Sequence, residues 1–264
     1  GLGDVYKRQP NLQNIPIRTP EGVTIREAFV ASEGKKILAM DYSQIELRLM
    51  AHYSKEQIML DSFKNNEDIH KRTASEVFSV EMENVSDEMR RRAKTINFGL
   101  LYGMSAFGLS NQLSVSRAEA EEFLLNYFTK YSSIKVFMKN IVEQAKKDKF
   151  VSTLYGRKIH VPNIESPNYM LRQASERAAV NGPLQGSAAD IIKRAMISIF
   201  KESGCNEKDV KMILQVHDEL VFEVPEDYDE KNISYLIDLM EESSSIDVPL
   251  KVEYGFGANW REAH

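Results

Sequence analysis

The alternation of apolar and polar positions is clearest late in the chain, where it predicts a β-hairpin. Two apolar runs, residues 212–216 and 220–224, flank a short acidic break. The tip of this predicted hairpin carries Asp218 and Glu219. Carboxylates at the tip of a hairpin can serve only to favour the turn, and this purely structural interpretation stays open at this point.

A second apolar run supports a functional role for those carboxylates. Residues 36–40, with residues 37–39 as their core, predict a buried strand that ends directly in Asp41. Because carboxylates hold the divalent cations of phosphoryl-transfer sites, acidic groups at the ends of two core strands suit such a site. The site requires Asp41 and Asp218 to meet, although they lie far apart in the sequence.

A period of three to four residues, joined with capping signals, predicts a series of helices. Ser43 with Glu46, and Ser116 with Glu119, each form a predicted capping box at a helix start. The predicted helices cover residues 43–53, 55–66, 69–78, 86–102, 116–131, a further stretch to about 149, 167–180, 185–201 and 229–244.

The order of these elements predicts an α+β fold. Residues 10–33 are turn-rich and show no clear period, residues 150–161 predict a hairpin around Gly156, and residues 249–254 predict a final strand. Strands therefore lie near both ends of the chain, with helices between them. This layout favours one sheet-based domain with a mostly helical insertion.

Composition narrows the functional class. The chain has 264 residues, 42% hydrophobic and 28% charged, as in an ordinary soluble globular protein. No apolar run approaches ~18 residues, no signal peptide opens the chain, and Cys205 is the only cysteine. We therefore expect a cytoplasmic protein without disulfides. The phosphate loop of P-loop ATPases, the His-Glu-x-x-His of zinc proteases and the Gly-x-Ser-x-Gly of serine hydrolases are missing from the sequence.

Charge is uneven along the chain. The formal net charge is −5, from 34 basic and 39 acidic residues, so a wholly basic surface for nucleic acid is absent. A basic cluster nevertheless occupies residues 90–94, and the C-terminal third is acidic. A local basic face can bind a polyanion, although composition alone favours a solvated surface.

The predicted helix at residues 86–102 carries a stripe of candidate binding residues. Arg90, Lys94, Phe98 and Tyr102 recur every four residues, so they share one slowly drifting face. Cations can grip a triphosphate, and aromatic rings can contact a sugar and a base. An amphipathic helix with a solvated basic end and a buried aromatic end explains the same pattern.

A polar row later in the chain repeats this spacing. Arg177, Asn181 and Gln185 lie four residues apart, next to Gly182 and Pro183, which predict a break in the helix. Three long polar groups at such a break can read minor-groove acceptors on a duplex. The alternative is the polar face of a helix end.

Two single residues have plain structural explanations. The predicted capping box accounts for Glu46. His70 stands at a predicted helix start, where a lone histidine is more often structural or exposed than catalytic.

Together these segments resemble the family A DNA polymerases. The resemblance runs in order from Pro10 to His264, which makes chance agreement negligible. The matching segments are PNLQNIP from Pro10, DYSQIELR from Asp41, RRRAKTINFGLLYG from Arg90, TLYGRK from Thr153, ERAAVNGPLQGSAADIIKRAM from Glu176, QVHDELVFEV from Gln215, and GANW from Gly257.

The resemblance implies template-directed DNA synthesis by two-metal phosphoryl transfer, with release of pyrophosphate. It implies a pair of Mg²⁺ ions held by Asp41, Asp218 and the backbone carbonyl of Tyr42, with Glu219 as a further catalytic-site carboxylate. The implied partners are primer–template DNA and deoxynucleoside triphosphates. We expect a monomer that does not associate with membranes.

The resemblance also assigns roles to the polar rows. Arg90, Lys94 and His70 would grip the triphosphate, and Phe98 would pack beside the sugar. Glu46, paired with Tyr102, would exclude a 2′-hydroxyl. The implied nucleotide-binding residues are Gln44, Glu46, His70, Arg90, Lys94, Phe98 and Tyr102. The implied DNA-binding residues are Arg177, Asn181, Gln185 and His217.

The implied architecture is an antiparallel-sheet palm with a mostly helical fingers insertion. We expect the palm at residues 10–65 and 166–264, the fingers at residues 66–165, and no thumb. Residues 1–9 do not match the family and form a foreign leader. Two alternative hypotheses stay open: a truncated module that binds nucleotide or DNA with weak catalysis, and a two-metal nuclease.

Overall fold

The computed structural model of the chain describes residue 15, residues 19–202 and residues 210–264. Residues 1–9, most of the PNLQNIP segment and Cys205 lie outside the described residues. The chain divides into two compact units. Unit 1 comprises Gly1–Ser43, Ile191–Ser245 and Leu250–His264, and unit 2 comprises Gln44–Asp190 and Ile246–Pro249. The palm and fingers boundaries given above stay a prediction.

Helices and strands follow one another as in a mixed α+β chain, and a short 3₁₀ helix at Met82–Asn84 precedes α5. Within the described ranges, no helix is both long and apolar enough to cross a lipid bilayer. In chain order the elements are α1 (Pro20–Glu27), β1 (Lys35–Tyr42), α2 (Ile45–Ser54), α3 (Gln57–Lys64), α4 (Ile69–Phe78), α5 (Asp87–Leu101), α6 (Ala106–Leu113), α7 (Arg117–Lys130), α8 (Ser132–Asp148), β2 (Phe150–Ser152), β3 (Lys158–His160), α9 (Tyr169–Glu202), β4 (Lys211–Val216), β5 (Glu219–Pro225), α10 (Glu230–Glu241) and β6 (Val252–Gly257).

A four-stranded antiparallel sheet lies in unit 1, in the order β4-β5-β1-β6. β1 is central, and its residues 37–40 are all buried, as expected of an unbroken apolar run. Pairing places Asp41 opposite Glu219 of β5 and Glu253 of β6. Because directly opposed residues in antiparallel strands share a face, these three acidic residues form one row across the sheet.

The predicted hairpin around Asp218 is confirmed. β4 and β5 pair across a two-residue turn, because Val216 lies opposite Glu219. His217, the first turn residue, adopts a left-handed backbone with φ 52°. The last strand is shifted from its predicted position, since β6 begins at Val252.

The C-terminal segment after β6 completes the core of unit 1. A Cβ at Gly255 would lie 2.3 Å from the carbonyl oxygen of Ala263, so only glycine lets this segment lie directly on β6. The buried cluster that joins sheet and segment comprises Ile37, Ala39, Val216, Val221, Trp260 and Ala263.

Two helices of unit 2 begin where their local capping residues predicted. α4 covers residues 69–78 as predicted, and the Asp68 side chain caps it by accepting two backbone N–H groups. α7 begins with the predicted capping box of Ser116 and Glu119. The predicted hairpin around Gly156 is also confirmed, as β2 and β3.

The predicted capping box of Ser43 and Glu46 is wrong. α2 begins at Ile45, and its N-cap is Gln44, in a left-handed backbone with φ 54° and no side-chain cap. The backbone N–H of Ser43 donates instead to the carbonyl of Lys251, at 2.8 Å. Ser43 therefore extends the strand pairing of β1, and capping does not explain Glu46.

The predicted break at Gly182 and Pro183 is wrong as well, because α9 runs unbroken through Pro183. A proline inside a helix removes one hydrogen bond. The glycines serve close packing: a Cβ at Gly186 would lie 2.6 Å from Cγ2 of Thr153, and one at Gly182 would lie 3.1 Å from Cγ2 of Val151. Packing of the β2–β3 hairpin against α9 thus outweighs the tendency of Gly182 and Pro183 to break a helix.

Two helices, α1 and α6, were not predicted. α1 was missed because residues 10–33 showed no clear period. Thr19 accepts a hydrogen bond from the N–H of Gly22 at 3.2 Å, and Pro20 occupies the first turn. A capping threonine followed by proline is a helix-start signal, so the sequence did contain the information.

Candidate functional site

The acidic site predicted at the strand ends lies in unit 1. The backbone N–H of Tyr42 donates to the carbonyl of Asp218 at 3.1 Å, which ties the end of β1 to the β4–β5 turn. The carboxyl groups of Asp41 and Asp218 lie close enough to shift each other's pKa. The predicted meeting of two aspartates remote in sequence is therefore confirmed, whereas their role as metal ligands stays a prediction.

This pair is held in an unfavourable electrostatic setting. Burial, followed by the negative charges of Asp218 and Glu219, raises the pKa of Asp41 to about 8. Burial also raises the pKa of Asp218. The Asp41 carboxyl group therefore keeps its proton at neutral pH. A cation at this position would replace the proton and relieve the repulsion.

The oxygen donors present suit a hard divalent cation such as Mg²⁺. Within the part of the chain that the structure describes, no group of three or more His, Cys, Asp or Glu side chains has metal-binding geometry. The predicted protein donors are the carboxylates of Asp41 and Asp218 and the backbone carbonyl of Tyr42. Mg²⁺ commonly completes such a set with water and substrate phosphate oxygens.

Tyr42 is anchored beside the pair. Its side chain is buried, and its hydroxyl donates to the carbonyl of Met240 at 2.7 Å. The same hydroxyl lies 3.0 Å from Oγ of Ser243. These contacts fix the backbone at the end of β1, where the predicted carbonyl ligand lies.

Glu219 is 4% exposed and lies in register with Asp41. Its Oε1 accepts the indole N–H of Trp260 at 2.9 Å. A buried carboxylate needs such a donor. Sequence reasoning assigned no role to Trp260, although a buried tryptophan N–H usually has a partner and this tryptophan is the only one in the chain.

The predicted nucleotide-binding residues lie in unit 2. α5 starts at the N-cap Ser86 and presents Arg90, Lys94 and Phe98 at four-residue intervals, with Tyr102 as its C-cap. Lys94 is exposed, while Arg90 and Phe98 are half-buried. The stripe is therefore accessible along its length, as a binding face requires.

Arg90 has a partner inside the protein. Its Nε donates to Oδ2 of Asp68 at 2.6 Å. Burial raises the pKa of Asp68, but the hydrogen bonds from Arg90 and from the N–H of Lys71 outweigh it and lower that pKa. Sequence reasoning missed this role of Asp68, although its position directly before the predicted helix 69–78 marks it as an N-cap.

His70 is 2% exposed, and its Nδ1 accepts a hydrogen bond from Nδ2 of Asn97 at 3.1 Å. Its ring centroid lies 5.7 Å from that of Phe98. Burial lowers the pKa of His70 to about 4, so the ring is neutral at pH 7. With Nδ1 accepting, Nε2 carries the proton. His70 therefore offers a phosphate one N–H rather than a positive charge.

The pairing of Glu46 with Tyr102 is present. The Tyr102 hydroxyl donates to Oε2 of Glu46 at 2.9 Å. Gln44 lies two residues before Glu46 and is half-buried. The parts of these residues in choosing the sugar stay predictions.

The predicted DNA-binding residues lie on two elements. Arg177, Asn181 and Gln185 occupy one face of the unbroken α9, and His217 is exposed at the β4–β5 turn in unit 1. A Cβ at Gly103 would lie 2.8 Å from Cγ of Arg177, so Arg177 packs beside the C-terminal end of α5. The Oδ1 of Asn181 is buried without a hydrogen-bond partner in the described structure.

Known proteins resemble this chain over almost its whole length. Residues 2–262 match the model of DNA polymerase family A, and this range includes residues 2–9, which were expected not to match the family. DNA polymerase I of Pseudomonas aeruginosa is 52% identical over 265 residues, which cover 99% of this chain and 29% of that protein. DNA polymerase I of Bacillus caldotenax is 44% identical over 262 residues, with 99% and 30% covered. The chain thus spans less than a third of the length of these relatives.

A solved structure supports the mixed helix and antiparallel-sheet fold. It is the POL domain of Pol1 from M. smegmatis in complex with DNA primer-template and dNTP. The TM-score is 0.90 at 44% identity, and the match covers 97% of this chain and 45% of that chain.

Proposed function

The chain belongs to DNA polymerase family A, and from that premise we propose that it carries out template-directed DNA synthesis. Deoxynucleotides are added to a primer 3′-hydroxyl, and pyrophosphate is released. The observation that carries the proposal is the meeting of Asp41 and Asp218 at the ends of core strands, where the N–H of Tyr42 donates to the carbonyl of Asp218 at 3.1 Å.

Asp41, Asp218 and the carbonyl of Tyr42 would hold the Mg²⁺ ions. When bound, such ions lower the pKa of an attacking hydroxyl and neutralise a leaving pyrophosphate. The protein's part is to keep the two carboxyl groups together although burial raises the pKa of both. The anchored backbone at Tyr42 makes this arrangement rigid.

The helical face of unit 2 would bind the incoming nucleotide. Phosphoryl transfer depends on charge neutralisation and positioning more than on a nucleophilic side chain. The exposed cation Lys94 and the half-buried Arg90 suit a triphosphate, and Phe98 suits the flat side of a sugar. Glu46, fixed by the Tyr102 hydroxyl, presents a carboxylate that disfavours a 2′-hydroxyl.

Primer and template would contact α9 and the β4–β5 turn. Arg177 and Gln185 are exposed, and Asn181 lies half-buried on the same face. Amide and guanidinium groups can address minor-groove acceptors, which are similar in all base pairs. We assign the sheet of unit 1 to the palm, and α4 to α8 to the fingers.

Primer extension in the complete protein that carries this sequence tests the proposal. Four templates that differ in the templating base should each direct incorporation of the complementary deoxynucleotide alone. Asp218→Asn should reduce incorporation by ~10³-fold or more, because one metal-ligand interaction is worth several kcal/mol in the transition state. The matched control is Asp227→Asn, the same change at an exposed site, and it should extend normally.

Two results would reject the proposal. Binding of primer–template without any extension by the unaltered protein would indicate a binding module. Cleavage of an unpaired strand without added nucleotides would indicate a two-metal nuclease.

A further inference from the structure

The C-terminal segment places the chain's single tryptophan against the acidic row. Trp260 is 1% exposed, and its Nε1 donates to Oε1 of Glu219 at 2.9 Å. Glu219 lies directly opposite Asp41 in the β1–β5 register. One indole N–H therefore fixes an oxygen of the carboxylate next to the aspartate pair.

The indole itself has little freedom to move. The edge of Phe29 meets the Trp260 ring at a centroid distance of 5.4 Å and an angle of 79°. The backbone N–H of Trp260 donates to the carbonyl of Phe29 at 3.0 Å. Close packing of Ala263 on Gly255 holds the following residues against β6. A donor restrained in this way holds its acceptor in one orientation.

Arg26 lies over the same ring. Its Cζ is 3.9 Å from the ring centroid of Trp260, and the residue is 3% exposed. Its Nε and Nη1 are buried without hydrogen-bond partners in the described structure. Buried N–H groups without partners destabilise a fold, and an apolar side chain would fill the space without that penalty. Arg26 places its guanidinium group behind an acidic row. Burial lowers the pKa of Arg26, and the nearby Glu219 opposes that effect by favouring the charged form.

We propose that Trp260 is a positioning residue for Glu219, and that Arg26 supports it by placing a buried positive charge over the indole ring. The inference rests on the proposed function, because Glu219 matters there as a carboxylate beside the metal-binding pair. Trp260 touches neither nucleotide nor metal in this role. Its loss would leave Glu219 free to turn, which would slow the chemical step without weakening substrate binding.

The contact itself can be tested without any activity. The 264-residue chain has one tryptophan, so its proton–nitrogen correlation spectrum contains one indole cross-peak. Glu219→Gln should move that peak upfield, because a hydrogen bond to a charged oxygen becomes one to a neutral oxygen. The matched control Glu253→Gln, on the other side of Asp41, should leave the peak in place. An unmoved peak in Glu219→Gln would overturn the proposal.

Kinetics test the positioning role in the complete protein. Trp260→Phe keeps an aromatic ring for Arg26 and Phe29 but removes the donor. It should lower kcat by ~10-fold or more, the usual effect of losing a hydrogen bond to a charged group, with KM for the deoxynucleotide unchanged within about twofold. In a Glu219→Gln background, the same substitution should have no further effect on kcat.

A packing control separates positioning from general destabilisation. Ile37→Val removes one methylene from the same buried cluster and leaves the indole donor in place. It should lower Tm slightly with kcat unchanged. A normal kcat in Trp260→Phe, or an equal loss of kcat in the Glu219→Gln background, would overturn the positioning role. Absence of primer extension in the unaltered protein would instead overturn the proposed function, which distinguishes the two failures.

Discussion

The acidic site of unit 1 and the nucleotide face of unit 2 handle charge in opposite ways. At the acidic site, burial and neighbouring carboxylates raise the pKa of Asp41 to about 8. On the helical face, Arg90 pairs with Asp68, and Glu46 accepts from Tyr102. The acidic site, where a cation is expected to bind, thus places carboxyl groups beside other carboxyl groups. On the helical face, where a nucleotide is expected to bind and dissociate, Arg90 and Glu46 each have a partner within the protein.

The largest effect is expected at the acidic site, where one substitution should lower activity and raise stability. Asp41→Asn should reduce primer extension by ~10³-fold or more. In metal-free solution at pH 8, it should raise the free energy of unfolding by about 1–2 kcal/mol, because it removes a carboxyl group whose ionisation is opposed by burial and by the neighbouring carboxylates. Activity assays and urea denaturation measure the two effects. Asp227→Asn is the control for both, and a less stable Asp41→Asn protein would refute the account of repulsion.

The next effect concerns His70 and pH. The folded pKa of about 4 lies below the ordinary value of 6.5. The unfolded chain therefore takes up a proton first as the pH falls, and the stability that neutral His70 provides is present above pH 6.5 and lost towards pH 4. The loss should be roughly 3 kcal/mol. Denaturation curves at pH 7 and pH 4 should show this loss of stability in the unaltered protein but not in His70→Gln.

The control for this measurement is His160→Gln, which changes an exposed histidine on β3. It should retain the full loss of stability between the two pH values. If His70→Gln lost stability to the same extent as the unaltered protein, the buried neutral ring would not be the cause.

A smaller effect is expected for sugar selection. Glu46→Ala should reduce discrimination between deoxynucleotides and ribonucleotides by ~10²-fold, which is typical for rejection of one extra group by a pocket. Tyr102→Phe removes only the hydrogen bond to Glu46 and should have less effect. The ratio of kcat/KM values for the two nucleotide types measures both. An unaltered ratio in Glu46→Ala would exclude this residue from sugar selection.

The smallest effect should follow Asp68→Asn. Asparagine keeps the N-cap of α4, so only the charge opposite Arg90 is lost. We expect KM for the deoxynucleotide to fall by up to ~3-fold as Arg90 is released, and stability to fall by less than ~1 kcal/mol, because the pair is partly exposed. A higher KM would mean that Asp68 orients Arg90 for binding.

Prediction from the sequence succeeded where the decisive partner is local. The capping box of Ser116 and Glu119 and the limits of α4 depend on residues a few positions apart. It failed where a distant partner decides. The N–H of Ser43 is taken by Lys251, and Gly186 fits against Thr153 on the β2–β3 hairpin.

The same distinction applies to the candidate site. The meeting of Asp41 and Asp218 was predicted because both follow apolar runs and because the segments resemble a known family. Asp68 and Trp260 were not assigned roles, since their partners Arg90 and Glu219 are fixed by tertiary packing. Neither spacing nor composition encodes such a pairing.

The close fit of Ala263 against Gly255 has a practical consequence for anyone who produces this protein. A shortened variant that stops at Ala258 would lose the indole and expose one side of the sheet. Damage to residues 258–264 would therefore imitate a lesion in the acidic site.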